Sequence, residues 1–440
     1  MQLSRDFRSD QTLQATFVRL SAFTAQIQCG HTYPSFFNQS KAVTTALFER
    51  PDRLPFFYRW VERKMIVTKD FTPDHRLPVG TEVLSIDGIA SGEILNRLLP
   101  LIRADGANEA KRIDLLQVQG TSPYEAADIF LPMIFPRWST PFALRIRKTD
   151  GKRGEHVIAA PVSFAERKVE GLGARVDPHS GAPLFTLRYL HSGAALLTMP
   201  TWVMYQGNWD WQAWLNESLD DIVARKSPAL IVDLRGNEGG DDVGTGILAR
   251  LKAASDAAEP YARLVRYRKA PAELLPYLQT WDASFKDWGE TAVALEQPWP
   301  TAPPVPYFRQ VDTPSPAATT PPAPQLKPYT GKVYVLTDAS NSSATYGFER
   351  TIQTEHLGTL VGQPSGGNKR GTNGGAFFFL RLPRSGIEID LPLIGYFPVT
   401  VEPNEGLQPD VFLLQSVIGN TGTDAELTAV ELAIHKHSVR

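Results

Sequence analysis

Two short segments, far apart in the chain, carry the residue types of an acyl-transfer site. Ser343 stands in Val335-Leu336-Thr337-Asp338-Ala339-Ser340-Asn341-Ser342-Ser343-Ala344, between an apolar run and the stretch Tyr346 to Gln353. That context places it at a strand-to-helix turn. A serine hydroxyl is a poor nucleophile at neutral pH. It needs exposure, a nearby base, and donors for the oxyanion that forms when it attacks a carbonyl. At a helix start the Ala344 N–H has no intrahelical acceptor, and the helix dipole favours negative charge. The second segment, Asn237-Glu238-Gly239-Gly240, follows the apolar run Ala229-Leu230-Ile231-Val232. Gly239 and Gly240 offer a second set of N–H groups, and without a Cβ they let the backbone approach a carbonyl closely.

Turns of this kind need a rigid support, and the sequence indicates one. Ala229 to Leu234 and Lys332 to Thr337 are short, continuous, β-branched runs, the pattern of strands covered on both faces. Ala194 to Met199 precedes them as a further strand. A Trp-rich helix is expected over 208–225 and a closing helix over 424–435, so the second half reads as α/β. Residues 300–328 are dense in Pro, Ala and Thr, which predicts an extended surface excursion. In the first half, Leu13, Phe17, Leu20, Phe23 and Ile27 recur at spacings of three and four, an amphipathic helix that ends at Gly30 to Pro34. A different unit begins near residue 66. Val79 to Gly88 reads as loop, strand and turn, followed by a helix through Ile94, Leu98 and Leu101. Phe142 to Arg147 alternates, turns at Thr149 to Lys152 and resumes at Glu155, which is a hairpin signal. Residues 103–138 interrupt this unit as an insertion.

Composition narrows the function classes. At 440 residues the chain is long enough for two or three domains, with 42% hydrophobic and 21% charged residues. A formal charge of -2 offers no electrostatic reason to bind nucleic acid or an anionic membrane. Cys29 is the single cysteine, so no internal disulfide forms, and no Cys/His group has zinc-site spacing. Asp241 and Asp242 read as a solvated helix start, not a metal site. No apolar run is long enough to span a bilayer. Met1 to Asp6 is not followed by the apolar core of a signal peptide; a trimmed export signal would place the protein in the periplasm or outside the cell more readily than in the cytoplasm.

Three segments, taken in order, resemble the core of the C-terminal processing (tail-specific) and tricorn-core serine peptidase family. They are Ile231 to Gly240, Val335 to Ala344, and Leu360-Val361-Gly362-Gln363-Pro364-Ser365-Gly366-Gly367 with Gly406-Leu407-Gln408-Pro409-Asp410 downstream. The resemblance implies a crotonase/Clp-protease-like α/β core over 163–440, an N-terminal helical subdomain over 1–65 and a PDZ-like module over 66–162. It also implies a serine endopeptidase acting on polypeptides or their tails through an acyl-enzyme on Ser343, with Gly239, Gly240 and Ala344 as the oxyanion hole and no cofactor. A PDZ-like module takes an extended peptide by strand addition, although Leu77 to Thr81 lacks a Gly-Leu-Gly-Phe-like carboxylate loop.

The base has two candidates. In the processing branch a lysine follows a Gly-Glu-Pro-Thr-like motif, but aligning Gly362 to Ser365 on it brings Asn368 to that position, with Lys369 one residue on. The tricorn-like branch uses a histidine after the first helix, where His31 stands. Imidazole suits the task, because its ordinary pKa of about 6.5 lies near working pH, whereas a lysine must first be desolvated. The reading is therefore His31, with Lys369 as the alternative, and an activity that rises through about pH 6 to 7.5. Glu405 or Glu402, just before Gly406, is implied as the group orienting the base, and Tyr346 replaces the family's glutamate after the serine. The rival reading is a scaffold without catalysis that binds peptide or a hydrophobic small molecule, like the retinoid-binding relatives of this family.

Overall fold

The computed structural model describes residues 11–136, 138, 140–149, 151, 154–169, 184–205, 209–252, 262–296, 306–311, 327–398, 400–414 and 424–438. Three six-stranded sheets organise them.

The first sheet is antiparallel and is built from β1 (Phe56–Val61), β2 (Lys64–Asp70), β3 (Glu82–Ile86), β4 (Ile89–Ala90), β5 (Phe142–Arg147) and β6 (Glu155–Ala159), in the order β1-β2-β3-β5-β6 with β4 paired to β3. Local chemistry accounts for its turns. Asp87 and Gly88 both have positive φ, the two-residue turn whose twist matches a hairpin. In β5 the side chains alternate, with Phe142, Leu144 and Ile146 buried and their neighbours exposed. This sheet starts at Phe56, before the boundary expected near residue 66. Helices α1 (Leu13–Gln26), α2 (Lys41–Leu47), α3 (Ser91–Leu98), α4 (Glu109–Leu115) and α5 (Ala126–Ile134) accompany it. One core joins Phe17 and Leu20 of α1, Leu98 of α3 and Phe130 of α5 to the sheet, and it also takes in Ile387 and Ile389 from the second half. The N-terminal helices thus share a core with the β-rich unit.

The expected apolar stripe of α1 is corrected at its end, since Phe23 and Ile27 are 38% and 49% exposed. Ser21 and Thr24 take the buried face instead, and their hydroxyls bond back to the carbonyls of Phe17 and Leu20. That satisfies the polar atoms without a partner from outside the helix.

The second half contains a mostly parallel sheet of β7 (Thr186–Tyr189), β8 (Ala195–Thr198), β9 (Ala229–Asp233), β14 (Lys332–Thr337), β15 (Thr359–Gly362) and β18 (Val411–Phe412), ordered β18-β15-β14-β9-β8-β7. Only β7 runs antiparallel to its neighbour. Helices α6 (Trp211–Ala224), α7 (Gly244–Leu251) and α8 (Ser343–Thr354) cover one face through Leu219, Ile247 and Ile352. Helix α9 (Ala425–Ser438) covers the other through Val430 and Ile434. Burial on both faces is the reason β9 and β14 read as unbroken apolar runs.

The remaining sheet is antiparallel, with β10 (Ala262–Val265), β11 (Leu278–Gln279), β12 (Ala292–Leu295), β13 (Tyr307–Gln310), β16 (Thr372–Arg381) and β17 (Glu388–Phe397) in the order β11-β16-β17-β10-β13-β12. Strand β13 corrects the expectation of a surface excursion over the whole of 300–328. Tyr307 is buried and the strand pairs on both sides, because an aromatic pair amid prolines still has a sheet edge to join. Residues 300–305 and 312–326 of that segment lie outside the described residues. No helix among the described residues is long and apolar enough to cross a membrane.

Candidate active site

Parallel strands β9 and β14 are neighbours, so the turns at their C-terminal ends meet. Helix α8 begins at Ser343, which has φ +55. A non-glycine residue in this region stores on the order of 1 to 3 kcal/mol of strain. Ser343 is half-buried, and its hydroxyl has no hydrogen-bond partner among the described residues.

Two fully buried asparagines hold the corner. The Asn341 amide donates to the carbonyls of Leu234 and Asn237, and its oxygen accepts from Thr337 Oγ1 and the Asp338 N–H. Its own carbonyl accepts the Gly366 N–H at 2.7 Å. Asn237 donates to Met199 O at 2.8 Å and accepts from the Gly239 N–H and Thr345 Oγ1, each at 2.9 Å. The serine turn and the glycine turn are therefore one hydrogen-bonded unit.

Gly239 and Gly240 have φ +96 and +137, conformations that only glycine adopts without cost. A Cβ on Gly239 would lie 2.8 Å from Ser342 O and 2.9 Å from Ser343 Cβ, so its contribution is room. Its N–H is taken by Asn237, which leaves the N–H groups of Gly240 and Ala344 as the open donors of the three expected. Gly239→Ala should lower kcat at least ~100-fold, the loss typical when oxyanion geometry is spoiled. Steady-state kinetics on a folded variant, with thermal unfolding as the control, checks this.

His31 follows α1 in a loop pinned from several sides. The Gly30 N–H donates to Asp105 Oδ1 at 2.7 Å, Arg103 donates to Gly30 O, and Tyr33 O accepts the Asp390 N–H from β17 at 3.0 Å. The Arg103 guanidinium also lies 4.3 Å over the Tyr33 ring. Burial pushes the His31 imidazole below its usual 6.5, assisted by Arg103 and Lys111 and opposed by Asp105 and Glu238. Its Nδ1 is buried without a hydrogen-bond partner. Glu238 connects this loop to the serine. Its carboxylate lies 3.5 Å from both Arg103 and Lys111, and its backbone carbonyl accepts from Ser342 Oγ at 3.3 Å. Glu238 thus acts electrostatically on His31 while its backbone carbonyl holds Ser342, the neighbour of Ser343.

The other residues singled out from the sequence lie differently. Lys369 Nζ pairs with Glu405 Oε1 at 2.7 Å, and the Lys369 N–H donates to Glu405 O. These two engage each other through side chain and backbone. Glu402 lies 3.5 Å from Arg350. Asn368 is buried and donates to Asp105 O and Asn404 Oδ1. The Tyr346 hydroxyl is buried without a hydrogen-bond partner, and burial together with Glu349 and Glu402 pushes its pKa up.

Residues without a recognisable sequence signal complete the corner. Arg103, Asp105, Lys111 and Asp114 all fall within 103–138, the stretch read as an insertion. The Lys111 side chain is only 2% exposed and donates to Ser340 O at 2.8 Å. Asp114 accepts from Ser340 Oγ at 2.8 Å. Burial, and then the charge of Asp114, pushes Asp338 up to about 7. The segment read as an insertion therefore packs beneath the Ser340 to Ser343 turn.

Comparison with known proteins bears on the fold and the family. The fold resembles crystal structures of CPAF: a mutant form superimposes with a TM-score of 0.58 at 14% identity, covering 94% of this chain and 85% of that one. Mature CPAF complexed with lactacystin gives 0.55 at 14% identity, covering 99% and 90%. No curated protein matches the chain. Residues 193–412, half of the chain, match peptidase family S41. That stretch contains every strand of the parallel sheet except β7, and both turns that meet at Ser343; the chain accordingly belongs to peptidase family S41 and is a serine peptidase that hydrolyses polypeptides.

Proposed function

We propose that Ser343 is the nucleophile and His31 the base of an endopeptidase site. The observation that carries this reading is the free Ser343 hydroxyl at a positive-φ helix start beside two unengaged N–H groups. Neutral His31 takes the Ser343 proton as Oγ bonds to the peptide carbonyl carbon. The oxyanion of the tetrahedral intermediate is held by the N–H groups of Gly240 and Ala344. His31 then gives its proton to the leaving amine, the C–N bond breaks, and an ester remains on Ser343. Water attacks that ester, His31 takes the proton from water and returns it to Ser343. Lys369 is less suited, because an ammonium engaged with Glu405 is a donor rather than an acceptor. Asp105 serves as the positioning residue for His31 by holding the Gly30 N–H.

The architecture belongs to the same reading. The two-faced parallel sheet supports a crotonase/Clp-protease-like core over 163–440, and the antiparallel sheet with its Asp87-Gly88 turn supports a PDZ-like module over 66–162. The helical piece over 1–65 carries His31. Such a module would bring an extended polypeptide or tail to Ser343 by strand addition.

A fluorophosphonate followed over pH tests the chemistry, because only an activated serine reacts. One equivalent of label should be recovered on the peptide containing Ser343. The labelling rate should fall as pH drops and imidazole becomes protonated, with a midpoint below 6.5 because burial disfavours the imidazolium. That is lower than the range of about 6 to 7.5 expected for an imidazole base before its burial is known. An unlabelled protein would support the catalytically silent scaffold instead, and a midpoint above about 8 would return the base to a lysine.

A further inference from the structure

Strand β16 carries three consecutive phenylalanines, and alternation sends them to opposite faces. Phe378 is buried against Tyr267, with ring centroids 5.9 Å apart. Phe377 and Phe379 share the other face, nearly parallel and 6.4 Å apart. Strand β11 pairs Gln279 with Phe379, so two residues on Trp281 stands beside Phe377. The indole is 5.9 Å from both phenylalanines and 5.5 Å from Phe285. Despite these three ring contacts Trp281 remains 60% exposed. A tryptophan so braced has already lost its rotamer freedom, so covering its open face costs little further entropy. The row does not end in solvent on both sides, because the His31 ring lies 5.9 Å from Phe377.

The direction of that row gives it a role. Under the reading above, His31 delivers its proton to the leaving amine and must lie within hydrogen-bond reach of that nitrogen. Residues C-terminal to the cleaved bond therefore leave the site over the imidazole, away from the oxyanion donors at Gly240 and Ala344. We propose that Phe377, Trp281 and Phe379 form a subsite for a bulky apolar or aromatic side chain on the C-terminal side of the scissile bond. This proposal rests on the assignment of His31 as the proton donor. The occupant is the substrate polypeptide itself, since the row is continuous with the catalytic histidine. Aromatic rings in offset or edge-on contact suit such a surface.

The test uses the full chain and two peptides that share their N-terminal half but carry either Phe-Phe or Ser-Ser after the cleaved bond. An ethyl ester of the shared half reports acylation without any C-terminal residues. The parent enzyme should prefer the Phe-Phe peptide by about tenfold or more in kcat/KM, the size of discrimination an apolar site supplies. Trp281→Ala should bring the ratio close to one while ester hydrolysis is unchanged, and Trp281→Phe should keep most of the preference. A preference that survives Trp281→Ala, or none in the parent, would overturn the proposal. So would loss of ester hydrolysis in Trp281→Ala, because the residue would then be supporting His31 instead of a substrate. Binding is read separately on the Ser343→Ala protein, where Phe-Phe peptide should bind about tenfold more tightly than Ser-Ser peptide. Equal affinities there sink the subsite whatever the identity of the base, whereas unequal affinities with no fluorophosphonate labelling sink the catalytic assignment alone.

Discussion

Ser343→Ala is expected to reduce peptide hydrolysis by about 10⁴ to 10⁶-fold, the range seen when the nucleophile of a serine–base unit is removed. The hydroxyl has no hydrogen-bond partner among the described residues, so stability should move by no more than ~0.5 kcal/mol. Turnover of an unfolded protein substrate, with thermal unfolding in parallel, separates the two effects. Ser342→Ala is the informative control. Its hydroxyl donates to Glu238 O and Ser340 O, so the change should cost roughly 1 kcal/mol of stability and spare most of the rate. If Ser342→Ala were dead and Ser343→Ala active, the nucleophile would be the neighbour.

His31→Ala should lower kcat by about 10³ to 10⁶-fold, because nucleophile and base act as one unit. The residual activity should lose the acidic limb of the pH profile, since nothing that titrates below 6.5 would remain as the base. Lys369→Ala removes one ion pair with side chains 25% and 49% exposed, and partly exposed pairs contribute little. Its effect on kcat should stay within about threefold. The opposite pattern, a mild His31→Ala and an inactive Lys369→Ala, would make the lysine the base.

The charged groups beneath the Ser340 to Ser343 turn explain why the corner is built from both halves of the chain. Lys111, Asp114 and Glu238 approach Ser340 and Ser342 from elements on either side of the site. Removing the acidic partners would leave the buried Lys111 ammonium uncompensated. The geometry of Ser343 is therefore tied to α4, although α4 supplies no reacting group.

Much of the site's local geometry is legible in the amino-acid order. Continuous β-branched runs identify β9 and β14, and Asn-Glu-Gly-Gly and Ser-Ser-Ala mark the turns after them. Those signals are local: strand burial, helix starts and glycine's access to positive φ depend on residues adjacent in sequence. Membership of the peptidase family follows from the same segments. The partners of the charged residues are a different matter. Lys369 and Glu405 are separated by a long hairpin and yet pair, while His31 lies in the field of Asp105, Arg103, Lys111 and Glu238. Lys111, to which no role could be given from sequence, is buried against Ser340. Tyr307 enters a sheet from within a proline-rich stretch, and Trp281 meets Phe377 only because β11 pairs with β16. Each of these depends on which elements pack together, and that is decided by burial summed over the whole chain, so only the tertiary structure assigns the partners of Lys111, Lys369 and Trp281.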